Sequence, residues 1–216
     1  MAAERRRESL AERRARRAEI DDPAVVLEAA ARFLEVRPRS VQEVRRRLTQ
    51  AGYRADLIEA AIARFTELGM LDDAAFAAQW VESRDRAHPR GEHALIIELR
   101  QKGIDAPTIA ATLKARRETA VQWEDRTSDA ADNGDEPTLR ALPGADEVAA
   151  RKLLMRQVRS LERIADVRLR RQRAYAVLAR NGFDPDTCRE VSRAVVEELA
   201  AGSAPSDAAG EGRDTE

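Results

Sequence analysis

The sequence predicts an all-α fold of tandem three-helix repeats of the helix-turn-helix-like kind. Apolar residues recur at helical spacing along most of the chain after Pro23. A motif of Leu, three variable residues, Gly and a large apolar residue occurs three times. No segment shows a clear two-residue alternation typical of a β-strand. Together these observations indicate a helical repeat protein.

The first repeat starts at Pro23 with a helix whose apolar face includes Val26 and Phe33, which we expect in the core. Pro38 ends that segment, and Ser40 followed by Glu43 is the pattern of a capping box that begins a second helix. Gly52 ends this second helix, and a third apolar-periodic helix follows. The three segments predict one compact three-helix unit.

The recurring motif covers residues 48–53, 99–104 and 178–183, with its glycine at Gly52, Gly103 and Gly182. A glycine here can adopt the left-handed conformation that closes the last helical turn. An apolar or soft side chain comes six positions later each time, at Ile58, Ile109 and Cys188. We therefore expect the same helix–corner–helix geometry in all three repeats.

The next helices need N-caps, and the residue types differ between the repeats. Asp105 and Asp184 are good caps, and Asp72 or Asp73 can cap the first helix of the second repeat. Arg54 is a poor cap at the equivalent position. We divide the chain into an N-terminal charged extension (1–22) that is a partly ordered helix or disordered, repeats at 23–70, 71–117 and 145–199, an acidic flexible insert (118–144) and a disordered acidic tail (200–216).

Composition narrows the protein class. The chain has 216 residues, of which 43% are hydrophobic and 36% are charged, against roughly 25% charged residues in an average domain. No run approaches the ~20 apolar residues of a membrane span, and the first 20 residues lack the apolar centre of a secretory signal. One cysteine excludes an internal disulfide. These features predict a cytoplasmic protein that does not enter a membrane.

The net charge of −1 conceals a strong separation of charge along the sequence. Residues 151–180 contain ten basic residues and two acidic ones, whereas residues 124–136 contain six acidic residues and one arginine. Local charge determines contact with a polyanion, so the basic segment is a candidate binding surface.

Enzyme chemistry finds no support in the residue pattern. His88 and His93 have no cysteine or carboxylate cluster at metal-ligand spacing, and Cys188 occupies an apolar position of the repeat. The phosphate-loop and dinucleotide-binding glycine motifs do not occur. We therefore expect no catalytic residue, no metal and no cofactor.

Basic residues on the predicted helices form the candidate contact face. Lysine and arginine on successive repeats can neutralise phosphates in a discontinuous stripe, or they can be solvated and paired with neighbouring glutamates. The candidate residues are Arg45, Arg46, Arg47, Arg90, Lys102, Arg151, Lys152, Arg156, Arg159, Arg168, Arg170, Arg171 and Arg173.

Two segments in the middle of the chain resemble a known family. Leu71-Asp72-Asp73-x-x-Phe76-Ala77-x-x-Trp80-Val81, then Gly91, then Glu98-Leu99-x-x-Lys102-Gly103-Ile104 is similar to the bacterial RecX family of recombination regulators. Residues 168–184 resemble the last repeat of that family. The likeness spans about residues 25–198 and leaves out the extension, the insert and the tail.

The resemblance implies an elongated, curved array of three repeats that binds along the groove of the RecA nucleoprotein filament. It implies inhibition of RecA through blocked filament growth or promoted disassembly, with lower ATP hydrolysis, strand exchange and co-protease activity. The expected partners are RecA and single- or double-stranded DNA bound without sequence specificity, and the expected state is a monomer. Residues 90–93 are less basic than in relatives, which weakens the case for DNA contact there.

Two other functions fit the same residues. One is a helical-repeat adaptor that binds a protein and no nucleic acid. The other is a helix-turn-helix DNA-binding regulator, although asparagine and glutamine, which read base edges, are scarce on the basic helices.

Overall fold

The computed structural model describes residues 9–128 and 144–202, and within these ranges the chain forms helices and turns without a strand. The all-α prediction is confirmed. The helices are α1 (Leu10–Ala18), α2 (Pro23–Leu34), α3 (Val41–Ala51), α4 (Ala55–Glu67), α5 (Asp73–Ala87), α6 (Glu92–Gln101), α7 (Ala106–Ser128), α8 (Ala145–Met155), α9 (Val158–Glu162), α10 (Val167–Arg180) and α11 (Pro185–Gly202).

The chain divides into two compact units. The first comprises Met1–Glu82 and Ile96–Ala115, and the second comprises Ser83–Leu95 and Arg116–Glu216. In the first unit α2, α3 and α4 pack on one another around an apolar cluster that includes Val26, Leu48 and Phe65. In the second unit α8, α10 and α11 pack around a cluster that includes Leu154 and Val195. Each unit thus has its own core.

The three predicted glycine corners are confirmed. The φ angles are 99° at Gly52, 82° at Gly103 and 79° at Gly182, all in the left-handed region. After each glycine, the next amide donates to the carbonyl of the motif leucine, which closes the helix end in the same way. These bonds are Tyr53 N to Leu48 O (3.3 Å), Ile104 N to Leu99 O (3.1 Å) and Phe183 N to Leu178 O (3.4 Å). The side chains six positions on, Ile58, Ile109 and Cys188, are buried as predicted.

The predicted N-caps also form. Asp105 Oδ1 accepts from the Thr108 amide at 2.7 Å, and Asp184 Oδ1 accepts from the Thr187 amide at 3.0 Å. Of the two candidates before α5, Asp72 is the cap, with the Ala75 amide 2.9 Å from its carboxylate. Arg54 makes no side-chain cap bond, in agreement with the weak junction expected there.

One of the two hydrogen bonds of the predicted capping box forms at the start of α3. Ser40 Oγ accepts from the Glu43 amide at 3.1 Å, as predicted. The Glu43 carboxylate lies instead 2.7 Å from Lys102 Nζ. A cation brought in by a distant helix competes with the local backbone for this acid, because ion pairing strengthens the hydrogen bond.

Three predicted segments fall partly or wholly on residues outside the described ranges. These are the first eight residues of the extension, residues 129–143 of the insert and residues 203–216 of the tail. Residues 118–128, which we assigned to the insert, continue α7. Residues 10–18 of the extension form α1, which begins with a complete capping box between Ser9 and Glu12.

Candidate functional site

The candidate basic residues divide into three groups by what their side chains contact. The first group is paired with carboxylates. Arg45 Nε lies 2.6 Å from Glu59, Arg151 Nη2 lies 2.6 Å from Glu198, Lys102 Nζ lies 2.7 Å from Glu43, and Arg171 lies 3.7 Å from Glu197. The hydrogen bonds that Arg45 donates to Glu59 raise the pKa of Arg45, and those that Arg151 donates to Glu198 raise the pKa of Arg151. Their charge is largely neutralised within the molecule.

The second group donates to groups of its own chain. Lys152 Nζ lies 2.7 Å from the Asp85 carbonyl, and the Arg156 guanidinium donates to the Arg86 carbonyl at 2.6 Å and also to the Ala87 carbonyl. These are the last carbonyls of α5, which lack partners inside that helix. Lys152 and Arg156 therefore cap the carboxyl end of α5, where a cation also suits the helix dipole.

Two more candidates have structural contacts of this kind. Arg170 is only 8% exposed, and its Nε donates to the Ile164 carbonyl at 3.0 Å. Arg90 Nη1 donates to Asn181 Oδ1 at 2.8 Å and is half-buried. Both side chains join neighbouring segments, which places them away from an exposed contact surface.

The third group is exposed. Arg159, Arg168 and Arg173 have no carboxylate within ion-pair distance among residues 9–119 and 144–201, whose side chains the structure describes, and the same holds for Arg163. We call these four residues the α9–α10 arginines. They lie on α9, just after it and on the first two turns of α10, and α9 packs against α10. The structure thus keeps part of the predicted basic surface of the third repeat available for an anionic partner.

In the first repeat the exposed candidates are Arg46 and Arg47 of α3. The Arg47 guanidinium lies 5.9 Å from the centre of the Phe33 ring, and that of Arg39 lies 4.2 Å from it. We predicted Phe33 as a core residue, but it is only partly buried and carries these two cations on its ring. Arg39 was not among the predicted contact residues, and its only signal in the sequence is its position directly after Pro38.

The positive charge of Arg39 is only partly offset by the nearby Glu43 carboxylate. Burial lowers the pKa of Arg39, and the positive charge of Arg37 lowers it further, while Glu43 opposes both. Arg39 donates no hydrogen bond to a carboxylate in the described part of the chain. A negatively charged group placed near Phe33 would therefore be stabilised by two guanidinium groups.

The most buried ion pair lies on residues that the sequence did not mark. The Arg116 side chain is 6% exposed, with Asp85 at 2.9 Å and Asp146 at 2.6 Å. Burial lowers the pKa of Arg116, but hydrogen bonds and charges from the two aspartates outweigh this and raise it. Because the three residues are far apart in sequence, no local motif could have identified the network.

The residues considered for enzyme chemistry have ordinary structural environments. His88 and His93 are exposed, and no group of three or more histidine, cysteine or acidic side chains could hold a metal within the described ranges. Burial raises the pKa of Cys188 to about 11, which disfavours the reactive thiolate.

None of the helices within residues 9–128 and 144–202 is long and apolar enough to span a bilayer. The exposed groups suited to binding are arginines, such as the α9–α10 arginines, and a guanidinium group binds phosphates and carboxylates.

Two family profiles match consecutive parts of the chain. One, described as the first three-helix domain of RecX, matches residues 27–65. The other, described as the second three-helix domain of RecX, matches residues 72–113. The first match covers α3 and most of α2 and α4, and the second covers α5, α6 and the start of α7.

Comparison of the whole sequence also finds proteins that are named RecX. A protein named Regulatory protein RecX from Mycolicibacterium smegmatis is 43% identical over 82 residues, which are 38% of this chain and 44% of that relative. The match therefore covers less than half the length of that relative. A Regulatory protein RecX from Mycobacterium ulcerans is 31% identical over 170 residues, which are 79% of this chain and 82% of the relative.

Solved structures agree with the fold. The crystal structure of RecX from Lactobacillus salivarius superposes with a TM-score of 0.60 at 18% identity, over 84% of this chain and 98% of that one. A second crystal structure, of a regulatory protein RecX, gives a TM-score of 0.56 at 17% identity, over 85% of this chain and 73% of the other. At these identities the likeness concerns the fold alone.

Proposed function

The chain belongs to the RecX family of regulatory proteins, and on that premise we propose that it inhibits the RecA recombinase. In this proposal it binds the RecA–single-stranded DNA filament and limits filament extension. ATP hydrolysis, strand exchange and co-protease activity by RecA then fall as consequences. It acts by occupying a surface, without catalysing a reaction and without a cofactor.

The exposure of the α9–α10 arginines is the observation that carries the proposal. Four guanidinium groups on a short stretch of the third repeat have no acidic partner in the described ranges. Other cations of the second unit already have partners, such as Arg151 with Glu198 and Arg116 with Asp85. A surface that leaves four such charges unneutralised favours binding of a polyanion or of an acidic protein surface.

The Phe33 corner, formed by Phe33, Arg39 and Arg47, is a second region of the proposed contact. Its two cations flank an aromatic ring that is only partly buried. Phosphate oxygens and carboxylates both fit a pair of guanidinium groups, so this corner can contact DNA or RecA. Lys102, Lys152, Arg90, Arg156 and Arg170 have structural roles in this proposal, because each is engaged within the molecule.

The test is DNA-dependent ATP hydrolysis by RecA with substoichiometric amounts of this protein. We expect inhibition, and we expect Arg159→Gln combined with Arg173→Gln to raise the half-inhibitory concentration by about tenfold, since each exposed cation contributes roughly 0.5–1 kcal/mol. The matched control is Arg151→Gln with Arg171→Gln, which removes the same charge from pairs with Glu198 and Glu197. Circular dichroism checks that both variants keep their helicity.

The possible outcomes separate the alternatives. Unchanged RecA activity at every concentration of the native protein would reject the proposed function and favour an adaptor for another protein. Inhibition that both variants reduce equally would show that overall charge matters and that the α9–α10 arginines are not the contact.

A further inference from the structure

The two junctions between repeats are built from equivalent contacts. Between the first and second repeats, the amino end of α3 contacts the second repeat at three points. Ser40 Oγ donates to the Lys102 carbonyl at 2.6 Å, and the Val41 amide donates to Asp73 Oδ1 at 2.9 Å. The third point is Gly103, where an added Cβ would overlap the Gln42 side chain.

Between the second and third repeats, the amino end of α6 makes a similar set of contacts, with the main-chain amide of Gly91 in place of the Ser40 hydroxyl. The Gly91 amide donates to the Asn181 carbonyl at 3.0 Å, and the Glu92 amide donates to Asp146 Oδ2 at 2.9 Å. An added Cβ on Gly182 would overlap Ala94. In both junctions the middle helix of one repeat packs against three groups of the next repeat. These groups are the corner glycine, the carbonyl before it and an acid in the first turn of that repeat's first helix. We call this set of groups the receiving face.

The first repeat has the corner glycine and the carbonyl of a receiving face, and the described residues that precede it, 9–22, contain α1. Its corner is Gly52, and the carbonyl before it belongs to Ala51. Arg17 of α1 donates to the Ala51 carbonyl at 3.3 Å, and its guanidinium lies 5.6 Å from the centre of the Tyr53 ring. An added Cβ on Gly52 would come within 2.8 Å of the main chain of Arg14. Helix α1 therefore occupies the place of a preceding middle helix.

The contact between α1 and the first repeat is shallow. None of the residues of α1 is buried, and Leu10 is 74% exposed. The apolar core of the first repeat consists of residues from Val26 to Leu71 and does not include α1. Displacing α1 would expose the Gly52 corner and leave that core intact.

In the third repeat, the amino end of α10 has no receiving face within the described residues. Val167 and Leu169, in its first turn, are 44% and 55% exposed. Its N-cap is Asp166, whose carboxylate accepts from the Arg168 and Leu169 amides. Asp166 thus replaces the neutral Ser40 and Gly91 found at the two junctions.

The two unmatched ends correspond to the two surfaces that meet at each junction. The start of α10 is equivalent to the starts of α3 and α6, and the Gly52 corner is equivalent to the corners at Gly103 and Gly182. The first turn of α2 contains no acid in the place of Asp73 and Asp146, so that turn does not oppose the Asp166 carboxylate of an incoming α10. Bringing the two ends together would also cover Val167 and Leu169.

We propose that α1 covers the receiving face of the first repeat against the α10 end of a second copy of this chain. When α1 is displaced, copies associate head to tail. The contact joins two different surfaces, so a pair held by one such contact still carries one unused surface of each kind.

The experiment displaces α1 in the full chain. Arg13→Pro removes the bond from the Arg13 amide to the Ser9 carbonyl and breaks the first turn of α1, while Arg13→Ala keeps the helix and is the matched control. Sedimentation velocity is measured over a range of protein concentrations. We expect the mean mass of Arg13→Pro to rise with concentration above that of one chain, and the native protein and Arg13→Ala to stay at one chain.

A second pair of variants identifies the contact. Arg17→Glu removes the bond to Ala51 by another route, and we expect it to associate like Arg13→Pro. Adding Leu169→Glu to either variant should restore the single-chain mass, since a charge at the α10 end opposes burial. Arg13→Pro that stays at one chain, or association that survives Leu169→Glu, would overturn the proposal.

Discussion

Lys102 Nζ lies 2.7 Å from Oε1 of Glu43, and both side chains are largely buried, at 23% and 18% exposure. The same ammonium group lies 4.7 Å from the centre of the Trp80 ring. Lys102 therefore links α3 to the end of α6 within the first unit. A residue that appeared as a binding candidate in the sequence has a role in folding stability.

The first prediction concerns this ion pair. Burial raises the pKa of Glu43, but the hydrogen bond and charge of Lys102, with Arg37 and the Ser40 backbone, lower it below the ordinary value. Glu43→Gln should lower the free energy of unfolding by about 1–2 kcal/mol at neutral pH. Glu59→Gln is the control, because Glu59 forms an exposed pair with Arg45. It should lower the free energy of unfolding by less than about 1 kcal/mol.

The pH dependence of the same variant follows from the sign of the shift. A carboxyl with a lowered pKa in the folded state stabilises the protein above its unfolded pKa. This contribution is lost as pH falls through the folded pKa. Urea denaturation should therefore show the native protein and Glu43→Gln converging below about pH 4. A constant difference down to low pH would contradict the ion-pair explanation.

The second prediction concerns Arg116, between Asp85 and Asp146 in the second unit. Arg116→Met leaves two carboxylates in a buried site without their cation, so we expect a loss of about 3–5 kcal/mol in unfolding free energy. Arg117→Met is the neighbouring control, since Arg117 is 53% exposed in its pair with Glu92 and should contribute no more than about 1 kcal/mol. Equal effects of the two substitutions on the denaturation midpoint would rule out a special role for burial.

The third prediction separates backbone strain from close packing at two glycines. Gly69 has a φ of 68° with open space where a Cβ would lie, whereas Gly103 has a φ of 82° and the Gln42 side chain in that place. Gly69→Ala should cost about 1 kcal/mol from the left-handed conformation alone. Gly103→Ala should cost roughly 2–4 kcal/mol, since overlap adds to the strain. Thermal unfolding of both variants measures the difference.

The fourth prediction concerns the single thiol. Cys188 is fully buried and its pKa is raised to about 11 by burial, with Asp184 and Asp146 adding to the shift. An aromatic disulfide reagent should react slowly with the native protein at pH 8 and at once in denaturant. Asp184→Asn removes a contributor to the shift but not the burial, so it should leave the thiol nearly as protected. Rapid labelling of the native protein would show that α11 opens readily.

The fifth prediction concerns salt and follows from the proposed contact. If the α9–α10 arginines neutralise phosphates, the logarithm of DNA affinity should fall linearly with the logarithm of salt concentration. Arg159→Gln with Arg173→Gln should reduce that slope by roughly 1–2, because two counterions fewer are released. Fluorescence anisotropy with a labelled oligonucleotide measures both slopes. An affinity that does not change with salt would contradict electrostatic contact.

The local parts of the fold could be predicted because their determinants lie within a few residues. The glycine corners depend on positions up to five apart, such as Leu48 and Tyr53. The caps at Asp105 and Asp184 bind amides three positions on. The family could also be predicted, because Leu71–Val81 and Glu98–Ile104 retain its motifs in order.

The exposure of each basic residue could not be predicted in the same way. Arg168 and Arg170 are two positions apart on α10, yet one is exposed and the other buried against the Ile164 carbonyl. Lys152 and Arg156 bind carbonyls 67 to 70 positions away at the end of α5. Such contacts depend on which helices pack together, and composition or periodicity carries no information about that.

The equivalence of the two junctions bears on how such proteins change length. Since the corner glycine, the carbonyl before it and a first-turn acid are used at both junctions, an internal duplication of one whole module would create another joint with its contacts already encoded. Loss of a module would likewise bring together surfaces that match. Evolution could therefore lengthen or shorten the array in steps of one unit, while nearest-neighbour interactions preserve stability at every length.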